Sequence, residues 1–101
     1  MTNEVVLDKK SKTFDSLKLP KKYKVVILND DQTPMEFVIA LLMQIFFHSE
    51  SAAHEITLKI HNEGSAVAGI YSFEIAEQKS IDSISLARAN GFPLQTKIES
   101  E

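Results

Sequence analysis

Residues 23 to 38 read YKVVILNDDQTPMEFV, and this stretch indicates both the fold and the place where a function would lie. Its first part, YKVVIL, is mostly apolar and rich in β-branched residues, which is typical of a strand covered on both faces. Asn29 and the two acids after it therefore begin a loop. Thr33 can cap a helix, Pro34 suits the first helical position, and Glu36 can close a capping box. The stretch predicts a strand, an acidic loop and a helix.

Turn and cap residues divide the rest of the chain into further elements. Ser49 is a candidate cap, Gly64 can end the helix that follows it, and Gly91 and Pro93 end a later helix. We expect helices over residues 34–47, 49–63 and 76–90, and strands over residues 23–28, 66–74 and 94–99. The order β-α-α-β-α-β indicates an α+β fold, a two-layer sandwich of a three-stranded antiparallel sheet and three helices.

The first helix carries more apolar residues than one buried stripe needs. Two interpretations stay open at this point. Either the helix is buried nearly all round, or Met35 and Val38, which lie beside the acidic loop, line a pocket.

Composition and charge limit the class of protein. The 101 residues, 44% hydrophobic and 25% charged, describe one soluble domain. A membrane span needs roughly 18 or more apolar residues and a signal peptide needs an apolar region, and neither is found, so we expect a cytoplasmic monomer. The net charge is +3 over residues 1–22 and −6 over residues 23–101. We therefore expect a flexible N-terminal extension over 1–22 and an acidic domain over 23–101 that does not bind nucleic acid.

The side chains that could carry catalysis or hold a metal ion are poorly placed for either. Asp30 and Asp31 are adjacent, so in extended backbone their carboxylates point apart and make a poor acid/base pair. His54 and His61 are about 10.5 Å apart along a helix, too far to share an ion. The chain has no Cys and no Gly-rich phosphate loop. The sequence indicates no enzyme, no cofactor and no metal site.

A larger set of residues matches one family in a single register over about residues 22–99. Its members are Asn29-Asp30-Asp31, Thr33–Val38, His61, Gly64, Gly69, Glu74, Ala76-Glu77, Lys79, Ala87-Arg88 and Pro93-Leu94. With these residues the chain resembles the ClpS family, the adaptors of the Clp protease system that recognise N-terminal degradation signals (N-degrons).

The resemblance implies a role for particular positions. Asn29, Asp30 and His61 match the residues that hold the free α-amino group of a substrate. A second group matches an apolar cavity for a first side chain of Leu, Phe, Tyr or Trp, and comprises Thr33, Met35, Val38, Thr57, Ile60 and Leu94. Glu74 and Lys79 match positions that contact the N-terminal domain of a Clp-family AAA+ unfoldase.

One position departs from the family pattern, and two other functions stay open. Thr57 stands where bacterial relatives commonly have a Met that narrows the cavity against β-branched residues, so a wider cavity is expected here. The first alternative is a small α+β interaction domain without amine recognition, such as the C-terminal domain of the ribosomal stalk protein. The second is a metal-assisted hydrolase with Asp30, Asp31 and His61 as ligands.

Overall fold

The computed structural model describes residues 20–101, which form three strands and three helices in the order β-α-α-β-α-β. The elements are β1 (Tyr23–Leu28), α1 (Met35–Gln44), α2 (Glu50–Glu63), β2 (Ser65–Tyr71), α3 (Phe73–Ala89) and β3 (Gln95–Ser100). The strands form an antiparallel sheet in the order β2-β1-β3. The predicted α+β fold is confirmed, while the extension expected over residues 1–22 lies almost wholly outside the described residues.

Strand β1 forms the middle of the sheet and is buried on both faces. Val25 and Ile27 are fully buried in the core that the sheet shares with the helices. Val26 points to the opposite face because side chains alternate along a strand, and it is still only 5% exposed. The continuous apolar run is therefore explained by a central strand covered on both sides. Across residues 20–101, no helix has the length and apolar character that a membrane crossing requires.

Helix α1 begins one residue later than the capping box predicted. Pro34, and not Thr33, occupies the N-cap position, and no side chain makes a cap hydrogen bond there. The Thr33 hydroxyl donates instead to the Asp30 carboxylate at 2.8 Å. The predicted capping box was wrong because the Thr33 hydroxyl bonds to Asp30 in the loop and not to the backbone of the helix.

Helix α1 also ends earlier than predicted, at Gln44 rather than near Phe47. The backbone N–H of His48 donates to the Leu42 carbonyl at 3.2 Å, and Phe47 between them adopts a left-handed φ of 58°. A residue in the left-handed conformation just past the last helical turn commonly marks the end of a helix. The chain leaves the helix in this turn, so Ser49 is free to begin the next one.

Helix α2 has the two caps that the sequence predicted. The Ser49 side chain accepts a hydrogen bond from the Ala52 backbone N–H at 3.1 Å. At the other end Gly64 has a φ of 95°, a left-handed conformation that costs glycine little, and its N–H donates to the Ile60 carbonyl. Both predicted ends of this helix are confirmed.

Replacing Ser49 with alanine should lower the free energy of unfolding by about 1 kcal/mol, because the Ala52 N–H loses its cap. Urea denaturation measures this loss directly. Ser51→Ala is the matched control, since Ser51 is exposed inside the same helix and alanine has the higher helix propensity. An equal loss of stability in both variants would contradict the capping role.

The second half of the chain differs from the prediction at its boundaries. Strand β2 ends at Tyr71, and Ser72 occupies the N-cap position of α3, which therefore begins at Phe73 instead of Ala76. Phe73 was expected in the strand because it continues an alternating apolar pattern, yet it lies in the first turn of α3. Strand β3 lies one residue later than predicted, at Gln95–Ser100.

Candidate functional site

The acidic loop (residues 29–34) joins β1 to α1 and is shaped by a single carboxylate. Asp30 Oδ1 accepts hydrogen bonds from the backbone N–H groups of Gln32, at 2.8 Å, and Thr33, at 2.7 Å. Its Oδ2 accepts from the Thr33 hydroxyl at 2.8 Å. An aspartate that binds backbone groups two and three residues ahead fixes a tight turn. Asp30 therefore determines the shape of the loop as well as its charge.

The same contacts keep Asp30 ionised. Burial by itself raises the pKa of the Asp30 carboxyl, but the hydrogen bonds from Gln32 and Thr33 more than offset it. The positive charge of Arg88 lowers the pKa a little further. The result is a pKa below the ordinary value of 3.8, so the loop carries a fixed negative charge at neutral pH.

The loop borders a cavity of about 310 Å³ that combines polar and apolar walls. The Asn29 backbone N–H donates to the Gly64 carbonyl at 2.9 Å, and this bond holds the loop against the C-terminal end of α2. The side chains of His61 and the loop therefore meet at one opening. The cavity is lined by Asn29, Asp30, Asp31, Thr33, Pro34, Met35, Val38, Thr57, Ile60 and His61.

Eight of the nine residues expected to bind substrate lie together around this cavity. Met35, which is 38% exposed, and Val38 both line the cavity. Of the two interpretations of the apolar residues of α1, the structure therefore supports the one in which Met35 and Val38 line a pocket. Leu94 is the exception, because it is 1% exposed in the main core and does not line the cavity. Its carbonyl instead accepts a hydrogen bond from Arg88 at 2.9 Å.

Two residues that were not in the expected set also line the cavity, Asp31 and Pro34. Asp31 is exposed and lies next to Asp30, so its place in the acidic triplet was the available sequence signal. Adjacent carboxylates in extended backbone point apart, which excludes a converging acid/base pair. It does not exclude a second negative charge at the same opening.

Thr57 forms part of the apolar wall although it carries a hydroxyl. Its Oγ1 donates to the Ala53 carbonyl one turn earlier at 2.7 Å, and the residue is only 2% exposed. Because this bond satisfies the hydroxyl within α2, the side chain presents no free donor to a ligand. Thr57 therefore limits the size of the cavity rather than its polarity.

The two residues expected to contact an unfoldase lie on α3 and not around the cavity. Glu74 is exposed in the first turn of the helix. Lys79 is half-buried, and its Nζ donates to the Ile45 carbonyl at 2.6 Å. Among the residues the structure describes, no three His, Asp or Glu side chains come close enough to hold one metal ion.

Known proteins have a similar sequence and a similar fold. Residues 18–97 match the family described as ATP-dependent Clp protease adaptor protein ClpS. The chain is 47% identical over 94 residues to the Clp protease adapter ClpS of Campylobacter jejuni, covering 91% of this chain and 98% of that one. For the Bdellovibrio bacteriovorus adapter the identity is 46% over 85 residues, covering 84% and 75%.

A solved structure, that of Agrobacterium tumefaciens ClpS2 bound to L-phenylalaninamide, matches with a TM-score of 0.80 at 41% sequence identity. The match covers 82% of this chain and 100% of that chain. The family match, the sequence identities and the structural match each cover most of the described residues and point to the same family. The chain therefore belongs to the ClpS family of adaptors of the ATP-dependent Clp protease, and it is an adaptor rather than an enzyme.

Proposed function

We propose that this adaptor binds the free α-amino group and the bulky apolar first side chain of N-degron substrates and delivers them to a Clp-family AAA+ unfoldase. The observation that carries the proposal is a cavity that combines a polar opening with an apolar wall. The ligand of the Agrobacterium relative, L-phenylalaninamide, has a free amine next to a large apolar side chain. Both parts of such a ligand find matching surfaces here.

The polar opening suits an ammonium group. An ammonium has three N–H donors and no acceptor, so it requires several acceptors that converge. The Asn29 amide oxygen and a His61 ring nitrogen supply two of them, and the acids supply the negative charge. Since Asp30 already accepts three hydrogen bonds from its own loop, it has few free lone pairs. Asp31 therefore adds a second negative charge, with further acceptor oxygens, to that of Asp30 at the opening.

The apolar wall suits a bulky first side chain. Met35 and Val38 come from α1, and Thr57 and Ile60 come from α2, so two helices enclose the space. Full burial of a Leu or Phe side chain contributes roughly 1.5 to 3 kcal/mol. An Ala side chain is too small to gain this contribution. Leu, Phe, Tyr and Trp at the substrate N-terminus are therefore the favoured first residues.

Fluorescence polarisation with three labelled peptides tests the proposal. One begins with a free Leu, one is the same peptide N-acetylated, and one begins with Ala. We expect tight binding of the first alone, because acetylation removes the charge and Ala leaves the cavity unfilled. His61→Ala should lose this binding, while His54→Ala, an exposed histidine of α2 outside the cavity, should retain it. Equal binding of all three peptides would contradict the proposal.

Delivery requires a second contact, with the unfoldase. We assign it to α3, where Glu74 is exposed and Lys79 lies on a surface separate from the cavity lining. These are the positions that correspond to unfoldase contacts in the family. An adaptor whose two contacts use different surfaces can hold substrate and unfoldase at the same time.

A further inference from the structure

Phe47, in the turn between α1 and α2, breaks two rules of local structure. Its backbone adopts a left-handed φ of 58° just past a helix end, a conformation that glycine or asparagine usually occupies. Its side chain is 79% exposed, the largest exposed fraction among the large apolar residues of the described chain. A strained backbone and an exposed ring both disfavour the folded state. Such local conflicts cluster at functional sites.

Phe47 lies beside a cation, the Lys79 ammonium, that no carboxylate of residues 20–101 neutralises. The Lys79 ammonium is 4.7 Å from the centre of the Phe47 ring and 5.5 Å from that of Tyr71. It donates to the Ile45 carbonyl, but over residues 20–101 it makes no ion pair with a carboxylate. The rings and the carbonyl hold the ammonium in place while leaving N–H donors for another acceptor.

These groups form one continuous surface, the Phe47 patch, which consists of Phe47, Tyr71, Ile75 and Lys79. Ile75 is 49% exposed and lies one helical turn before Lys79, on the same side of α3. Helix α1 separates the patch from the cavity, since Met35 begins the helix and Phe47 follows its end, which puts roughly 15 Å between them. A ligand in the cavity therefore leaves the patch accessible.

We propose that Phe47 is an anchor residue for the unfoldase, whose matching surface is an apolar groove with a carboxylate at its rim. The ring enters the groove, and the carboxylate pairs with the Lys79 ammonium. Interfaces concentrate their affinity in a few aromatic and charged anchors of this kind. A cation already held in position loses little freedom when it binds. This inference rests on the proposed function, because it takes the unfoldase as the delivery partner.

Phe47→Gly tests the anchor, because glycine adopts the left-handed conformation without strain. We expect the melting temperature to rise or stay level while the affinity for the unfoldase, measured by calorimetry with the purified unfoldase, falls at least tenfold. Affinity for a Leu-first peptide should stay within twofold, since Phe47 does not line the cavity. Phe47→Asn, which also tolerates this conformation, should behave in the same way.

Two controls separate the outcomes. Lys79→Met should weaken unfoldase binding and reduce its salt dependence, whereas Leu58→Ala, which removes another exposed apolar side chain on α2, should change neither. Unfoldase affinity within twofold of the parent in Phe47→Gly would overturn the inference, and so would parallel losses of peptide and unfoldase binding. Failure of the parent to bind N-degron peptides would instead refute the proposed function, because unfoldase binding is measured without peptide.

Discussion

Replacing Asp30 with alanine is expected to weaken the binding of a Leu-first peptide about a hundredfold. The substitution removes a negative charge from the opening of the cavity and three hydrogen bonds from the acidic loop. The loop then loses the turn that places Asn29 and Thr33 at the cavity. Hydrogen bonds to charged groups are worth roughly 1.5 to 3 kcal/mol each, so a loss of this size needs only one or two of them.

Asp31→Ala is the matched control, because it removes the same charge from the neighbouring residue. Asp31 is exposed, so its loss should leave the loop in shape and weaken peptide binding about tenfold by charge alone. Isothermal titration calorimetry at neutral pH compares both variants with the parent. A larger effect of Asp31→Ala than of Asp30→Ala would show that charge at the opening matters more than loop shape.

Acid provides a second test of Asp30. Because folding lowers the pKa of its carboxyl, the group stabilises the fold fully above its ordinary pKa of 3.8. That stability is lost as the pH falls through the lower folded-state pKa. In Asp30→Asn this contribution is absent at every pH. The difference in melting temperature between parent and variant should therefore shrink in acid. A difference that does not depend on pH would contradict a stabilising role for the ionised Asp30 carboxylate.

The fold could be predicted where short-range signals act without competition. The apolar run of β1 and the caps Ser49 and Gly64 determine their elements locally, and the structure agrees with each. The prediction was wrong where a second nearby group competes for the same side chain or backbone position. Thr33 could cap a helix, but its hydroxyl donates a hydrogen bond to the Asp30 carboxylate instead. The early end of α1 at Gln44 depends on contacts that the sequence pattern does not show.

The candidate site shows the same division. Asn29 and Asp30 lie in the acidic loop and His61 lies in α2, about 30 residues later, so only the family resemblance could predict from the sequence that they share a site. The family resemblance also placed Leu94 in the apolar cavity, yet Leu94 is buried in the core. Phe47 could not be found from periodicity, because as a helical residue it looked like one more apolar side chain. Its left-handed backbone follows from the turn into α2.

Thr57→Met is expected to change the preference for the first residue of the substrate. Methionine is longer and would project into the cavity, which Thr57 borders from α2. A β-branched side chain such as Ile is wide close to its backbone and cannot bend away from the intrusion, whereas Leu branches one carbon later. Overpacking costs about 2 kcal/mol, so the affinity for an Ile-first peptide should fall roughly thirtyfold relative to a Leu-first peptide.

Thr57→Val separates this steric effect from the loss of a hydrogen bond. Valine has nearly the shape of threonine but cannot donate to the Ala53 carbonyl. It should leave the ratio of Ile-first to Leu-first affinity unchanged, even if the fold loses some stability. Competition binding with both peptides against the three proteins measures that ratio. Comparable Ile-first affinity in Thr57→Met and the parent would show that neighbouring side chains already fill the space, so that residue 57 does not select the first residue.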